Sequence, residues 1–112
     1  MEKDKIEETA MILKLLGDKT RLSMLQLMQI KDCCVCEFVE IFQLTQPAIS
    51  QHVRRLKEAG LVNERRSGKW IIYSLNQESK FYLLLQDVLT HLPNQDEKLV
   101  WLEQQGLTII CE

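Results

Sequence analysis

Residues 46–60 have the sequence QPAISQHVRRLKEAG, which is typical of a short amphipathic helix with a defined start and end. Pro47 lies in the first turn, where a missing backbone N–H costs little, and Gly60 is a natural C-terminal stop. Ile49, Val53 and Leu56 recur at spacings of four and three and therefore form one apolar side. Glutamine can bind adenine edges, and serine and arginine suit bases or phosphates, so the opposite side is a candidate DNA-reading surface. That side consists of Gln46, Ser50, Gln51, Arg54 and Lys57.

The residues before this helix predict a helix-turn-helix motif at about 33–60. Asp32 can cap a third helix, and residues 43–45 can form the short turn that follows it. Two earlier helices are predicted, one at about 5–17 and one from a capping residue, Asp18, to about Ile30. In such a motif the second helix, here 46–60, enters the major groove. The apolar side of the third helix would be Val35, Phe38, Val39 and Phe42.

After Gly60 the apolar pattern changes from a helical period to that of two short strands. Residues 61–66 and 69–75 read as the strands, and Ser67 and Gly68 as the turn between them. The hairpin, about 61–75, carries Arg65, Arg66 and Lys69 near its tip, where they could reach the flanking DNA backbone or minor groove. The length of 112 residues suits one domain, so residues 1–112 are predicted to form a single, mainly α domain with one β-hairpin.

The charge distribution supports a nucleic-acid partner although the net charge is −2. Residues 50–70 contain six basic and two acidic side chains, a local charge of +4 that leaves −6 on the rest of the chain. A local basic stretch in an acidic protein can be a footprint for phosphates. His52 is expected to be a partly buried structural histidine or a phosphate contact. The predicted DNA contacts are Gln46, Ser50, Gln51, His52, Arg54, Arg55, Lys57, Arg65, Arg66 and Lys69.

Three of the four cysteines fall within four positions, which points to a metal or redox role. They are Cys33, Cys34 and Cys36, and the fourth is Cys111. Residues 1–8 are charged, and no apolar run is long enough to cross a membrane. We therefore expect a cytoplasmic protein without a membrane partner, in which thiols stay reduced.

Four motifs, in order along the chain, resemble the ArsR/SmtB family of metal-sensing repressors. They are LLGDKTRL at 15–22, CVCE at 34–37, QPAISQHV at 46–53 and LKEAGLV at 56–62, and the similarity spans about 13–92. The resemblance implies a winged helix-turn-helix homodimer, with the hairpin as its wing, that represses from an operator in double-stranded DNA and leaves when metal binds.

The resemblance also assigns a role to the cysteines, because the Cys34-Val35-Cys36 segment matches that of arsenic and antimony sensors. Those sensors often have a third thiol where this chain has Val39, so the third ligand either comes from elsewhere, with Cys33 and Cys111 as candidates, or is absent. Thiolates select soft metals, and trivalent arsenic prefers three sulfurs. We predict Cys33, Cys34 and Cys36 as ligands, arsenite or antimonite as inducer, and no permanent cofactor.

This site has a geometric difficulty that suggests a mechanism. On an ideal helix Cys33 and Cys36 share a face, whereas Cys34 and Cys36 point to nearly opposite sides. All three thiols can meet only if the start of helix three unwinds. The hypothesis is that this distortion reaches the DNA-reading helix through the short turn.

Several alternatives remain open from the sequence. The same family includes sensors of cadmium, lead and zinc, and Asp87 and His91 on the fifth helix are a weak zinc pair. The thiols could also sense oxidation. Glu37 and Glu40 are expected at the surface. An enzyme is not expected, since the chain has no glycine-rich phosphate loop and no nucleophile with an ordered base.

The fifth helix, about 77–92, is apolar on more than one side, which a monomer does not need. Together with the helix at 5–17 it is the predicted two-fold interface of a homodimer. A weaker sixth helix is predicted at 96–105, and the apolar residues 107–110 could cover part of the interface. The apolar residues of the fifth helix are Phe81, Leu84, Leu85, Val88, Leu89 and Leu92.

Overall fold

A computed structural model describes residues 2–93, together with Glu97 and Gln104. Most of the predicted sixth helix, the tail at 107–110 and Cys111 lie outside the described residues. The elements in chain order are α1 (Glu2–Leu16), α2 (Lys19–Ile30), β1 (Cys33–Cys34), α3 (Val35–Phe42), α4 (Gln46–Glu58), β2 (Val62–Ser67), β3 (Trp70–Leu75) and α5 (Tyr82–Leu89). The strands form an antiparallel sheet in the order β1-β3-β2. The predicted fold class, mainly α with a β-hairpin, is confirmed.

Helix ends follow the chemistry that their sequences predict. The Asp18 carboxylate accepts a hydrogen bond from the backbone N–H of Arg21 at 2.9 Å and so caps α2. That bond is the main reason why the pKa of Asp18 is below its ordinary value. At the end of α4, Gly60 takes a φ of +79°, and the N–H of Leu61 reaches back to the carbonyl of Leu56 at 3.0 Å. This left-handed turn directs the chain out of α4 and into the hairpin.

The core lies between the helices and one face of the sheet. The predicted apolar side of α4, formed by Ile49, Val53 and Leu56, is fully buried in it. Phe38 of α3 and Leu25 of α2 are also fully buried, so the two helices of the helix-turn-helix share one core with the preceding helix. The orientation of α4 is thereby fixed, and its polar side faces outward.

Three predicted boundaries differ from the structure. The third helix begins at Val35, not after Asp32, because Cys33 and Cys34 pair with β3 as a short strand. The hairpin turn is Gly68-Lys69, with Ser67 paired to Trp70, instead of Ser67-Gly68. Gly68 has the positive φ of +62° that this turn needs.

The fifth helix is shorter than the predicted 77–92. Residues 76–81 form turns, since Asn76 accepts hydrogen bonds from the backbone of both Glu78 and Ser79 and so competes with helix formation. Several large apolar side chains on α1 and α5 are exposed, including Ile6 at 72%, Met11 at 71% and Leu83 at 77%. Within the described residues, no helix is long and apolar enough to cross a membrane.

Candidate DNA interface and thiol site

The outward side of α4 carries the predicted DNA-reading residues. We call this side the recognition face; it consists of the exposed residues Gln46, Gln51, Arg54 and Lys57 and the partly exposed Ser50. The buried side of the same helix holds this face rigidly on the protein core. The recognition face contains two amides, a hydroxyl and two cations. These groups can donate hydrogen bonds to base edges and to phosphates. Arg55 is also exposed but lies beside a cavity lined by α1 residues such as Met11 and Ile12.

His52 ties the recognition helix to the start of α2. Arg21 donates from Nη1 to Nδ1 of His52 at 3.2 Å and from Nε to the carbonyl of Leu15 at 2.8 Å. Because arginine has no acceptor, Nδ1 must carry the lone pair and the ring is neutral in this contact. Burial, aided by Arg21 and Arg55, lowers the pKa of His52 against the opposing effect of Asp18. The structure thus places His52 partly buried and hydrogen-bonded to Arg21, and its predicted phosphate contact stays a prediction.

The predicted wing cations are exposed, and two of them have contacts within the protein. Arg65 Nη2 lies 3.3 Å from Oδ2 of Asp32, just before β1. The Lys69 ammonium lies over the Trp70 ring, 5.1 Å from its centroid. Arg66 is exposed on β2. The wing therefore exposes three positive charges to solvent.

The side chains of Cys34 and Cys36 meet, with their sulfur atoms 2.8 Å apart. The expectation that they point to opposite sides is wrong because Cys34 precedes the helix, with extended backbone angles of φ −107° and ψ 165°. No unwinding of a helix is needed to bring them together. Ile72 and Trp70 of β3 pack against this pair, which we call the thiol pair. Burial, followed by the hydrogen bond to Cys34, raises the pKa of Cys36 to about 12.

Cys33 does not join the thiol pair. Neighbouring residues of a strand point to opposite faces of a sheet, so Cys33 enters the main core while Cys34 faces Ile72. The Cys33 sulfur contacts the carbonyl of Lys31 at 3.3 Å, and burial strongly raises the pKa of its thiol. Among the residues that the structure describes, no three His, Cys, Asp or Glu side chains are grouped as a metal site. The predicted set of three clustered thiols is therefore not assembled.

Glu37, which was expected at the surface, is buried with 1% of its area exposed. Its Oε1 accepts a hydrogen bond from the backbone N–H of Cys34 at 3.0 Å, and its Oε2 lies 2.6 Å from Nζ of Lys31. A glutamate three residues after the N-cap residue is typical of a capping box. The sequence alone predicts the cap at Asp32, for which Glu37 is not three residues away, and so does not reveal this role. Glu37 thus fixes the backbone that carries one half of the thiol pair.

The predicted zinc pair, Asp87 on α5 and His91 just after it, is not completed by further ligands among the described residues. Asp87 and His91 are both exposed, and the carbonyl of Asp87 accepts a hydrogen bond from the Thr90 hydroxyl. No third ligand joins them in the described part of the chain.

Comparison with known proteins identifies the family. Residues 18–64 match the model of the bacterial regulatory protein arsR family. The arsenical resistance operon repressor of Staphylococcus xylosus is 38% identical over 77 residues, which cover 69% of this chain and 74% of that protein. The chain belongs to the ArsR family. The arsenical resistance operon repressor of Staphylococcus aureus, another ArsR relative, is 35% identical over 86 residues, covering 77% of this chain and 78% of its own length.

A solved structure agrees with the ArsR assignment. The transcriptional repressor BigR from Xylella fastidiosa is 30% identical, with a TM-score of 0.70, and the match covers 81% of this chain and 89% of BigR. The winged helix-turn-helix fold is thus confirmed, with β2 and β3 as the wing. Members of the ArsR family are transcriptional regulators, so the prediction that this chain is not an enzyme is confirmed as well.

Proposed function

We propose that this ArsR-family regulator is a repressor that leaves its operator when arsenite or antimonite binds Cys34 and Cys36. The observation that carries the proposal is the 2.8 Å separation of the two sulfur atoms at the start of α3, the first helix of the helix-turn-helix. Arsenical resistance operon repressors among the relatives support the choice of inducer. Thiolates are the ligands that soft ions prefer, and among the described residues no third His, Cys, Asp or Glu side chain is grouped with the two thiols.

The thiol pair suits an ion held by two sulfurs at the edge of the sheet. A soft ion bound at about 2.3 Å from each thiolate, with tetrahedral angles, keeps its sulfurs about 3.8 Å apart. The sulfurs of Cys34 and Cys36 already lie close together, so one ion can contact both after an adjustment of the two side chains. Cys33 stays in the core, so Cys111 or a thiol from solution supplies the third sulfur that arsenic prefers.

The consequence for DNA binding follows from linkage. Binding of an ion by both sulfurs shifts the segment that carries them, which pairs with β3 of the wing through β1 and packs against α4 through α3. A ligand that favours the displaced conformation must weaken DNA binding by the same factor by which DNA weakens ligand binding. A coupling of about 3 kcal/mol would lower operator affinity on the order of 150-fold.

A homodimer is part of the proposal, since two recognition faces are needed for two operator half-sites. The exposed apolar side chains of α1 and α5, with Ile6, Met11 and Leu83 among them, offer a surface that a second copy can cover. Apolar residues exposed together on a surface are typical of an interface.

Peroxide sensing is a weaker alternative. Burial raises the pKa of Cys36 to about 12, but oxidation and ion binding both use the thiolate, so this shift does not separate the two functions. The arsenical resistance repressors among the relatives favour the ion. Cadmium or lead could use the same thiol pair, and we retain these ions as outcomes of the test.

The test is fluorescence anisotropy of the protein on labelled DNA from upstream of its own gene, titrated separately with arsenite, antimonite, cadmium, zinc and peroxide. Release by arsenite or antimonite at lower concentration than by the other agents is the expected result. Release by peroxide alone would replace metal sensing with redox sensing. Failure to bind any duplex would contradict the repressor assignment.

The ligand set can be resolved by matched variants in the same assay. Cys34→Ser keeps a residue that suits the N-cap position and removes one sulfur, so it should abolish the response while the fold is retained. Cys111→Ser separates the two sources of a third sulfur: loss of response assigns it to the chain, and a retained response assigns it to solution.

A further inference from the structure

The thiol pair is joined to the wing by the sheet itself. In the antiparallel register Cys34 lies opposite Ile72, and Ile72 lies opposite Arg65. Residues directly opposite each other in an antiparallel sheet project to the same face. Cys34, Ile72 and Arg65 therefore form one row that crosses all three strands, which we call the sensor row.

An ion pair connects Arg65, at the far end of the sensor row, to the segment before β1. Arg65 Nη2 lies 3.3 Å from Oδ2 of Asp32, two residues before Cys34. The guanidinium has five N–H donors, so this contact leaves others that can donate to a DNA phosphate. The position of the Arg65 side chain thus depends on the segment that carries the first cysteine.

The adjacent row of the sheet is tied to the recognition helix instead. Cys33 lies opposite Tyr73, and Tyr73 lies opposite Glu64. The Glu64 carboxylate is 3.2 Å from Nζ of Lys57 at the end of α4. A displacement of Cys34 therefore acts first on the row that ends at Arg65, while the neighbouring row keeps its connection to α4.

From this placement, and resting on the proposed function, we propose that the inducer signal reaches the DNA through the wing. When an ion binds the sulfurs of Cys34 and Cys36, the Cys34 side chain shifts against Ile72 and Trp70, which pack on the pair. β1 has two residues, so its pairing with β3 is short. Asp32 moves with β1, and Arg65 loses the position from which it contacts the DNA backbone. The contact that the inducer removes is that of Arg65.

The test is a thermodynamic cycle that combines variants with arsenite. Operator Kd values are measured by anisotropy with and without saturating arsenite, and their ratio is the release factor. Arg65→Ala should weaken binding of the arsenite-free protein and reduce the release factor at least tenfold, because the contact to be lost is already absent. Arg54→Ala, an exposed cation of the recognition face, should weaken binding in both states and leave the release factor unchanged.

A second variant keeps the test informative if Arg65→Ala binds DNA too weakly to measure. Asp32→Ala retains the Arg65 charge and removes its anchor at an exposed position, so DNA binding should persist while the release factor falls. An unchanged release factor in both Arg65→Ala and Asp32→Ala would overturn the wing route. If arsenite does not release the wild-type protein, the proposed function itself fails, and the two failures are thus distinguished.

Discussion

Replacing Glu37 by alanine tests whether the thiol pair depends on a buried carboxylate. In the native protein this carboxylate accepts the N–H of Cys34 and pairs with the Lys31 ammonium. Alanine removes both interactions at once. We expect lower stability together with weaker arsenite binding, since Cys34 would no longer be held opposite Cys36.

The size of the effect can be estimated from burial. The Cys34 N–H would lose its acceptor in a buried environment, which costs about 1–3 kcal/mol. The Lys31 side chain is 33% exposed, so its ammonium can reach water and the full penalty for an unpaired buried charge does not apply. The expected loss is about 2 kcal/mol in the free energy of unfolding. At roughly 4 °C per kcal/mol for a chain of this size, the Tm should fall by about 8 °C.

Urea and thermal denaturation followed by circular dichroism measure the loss, at one fixed protein concentration because association affects apparent stability. Glu37→Gln keeps an oxygen that can accept the Cys34 N–H, so it should recover much of the stability and of the arsenite affinity. Glu40→Ala on the same helix, a partly exposed residue, should change stability by less than about 0.5 kcal/mol. A Glu37→Ala protein as stable as the wild type, or a glutamine variant no better than alanine, would refute the reasoning.

Three further predictions concern the scaffold of the recognition helix. Asp18→Ala should cost about 1 kcal/mol at neutral pH. Because the folded-state pKa of Asp18 is lowered, this stabilisation is fully present above the unfolded-state value of 3.8 and is lost as the pH falls through the folded-state pKa. The stability difference from the wild type should therefore shrink in urea titrations as the pH is lowered below 3.8, and an undiminished difference would contradict the capping role. NMR titration should place the pKa of His52 below 6.5. Asp18→Asn removes a negative charge that raises this pKa, so the variant should titrate lower still. A midpoint above 6.5 would exclude the buried neutral ring. Gly60→Ala should lower the free energy of unfolding by about 1 kcal/mol. The positive φ alone causes this loss, because a Cβ at this position meets no atom within 4 Å. An unchanged stability in urea denaturation would show that the turn can relax.

The elements that the sequence predicts correctly are those with a strong local signal. The helix at Gln46–Glu58 combines a regular apolar period, an early proline and a terminal glycine, and all three features act within a few residues. The hairpin is similar, since a glycine between two short extended segments specifies a tight turn, even though the turn lies one residue later than predicted.

The geometry of the thiol site could not be obtained from local patterns. β1 has two residues and exists because it pairs with Tyr73 and Ile72, almost forty residues later in the chain. A two-residue strand has no period to detect, so the sequence alone predicts Asp32 as the cap and places the three cysteines on a helix. Because the cap is Cys34 and not Asp32, Cys34 pairs with Cys36 and not Cys33 with Cys36. The same shift of the cap makes Glu37 the residue that accepts the N–H of Cys34.

The central claim is that Cys34 and Cys36, and not Cys33, form the inducer site. Arsenite titration of the protein–DNA complex by anisotropy, with Cys33→Ala and Cys34→Ser as the matched pair, tests it most directly. The account predicts release of the Cys33→Ala protein at arsenite concentrations close to those for the wild type, and no release of Cys34→Ser. Release of Cys34→Ser, or loss of the response in a folded Cys33→Ala protein, would contradict it.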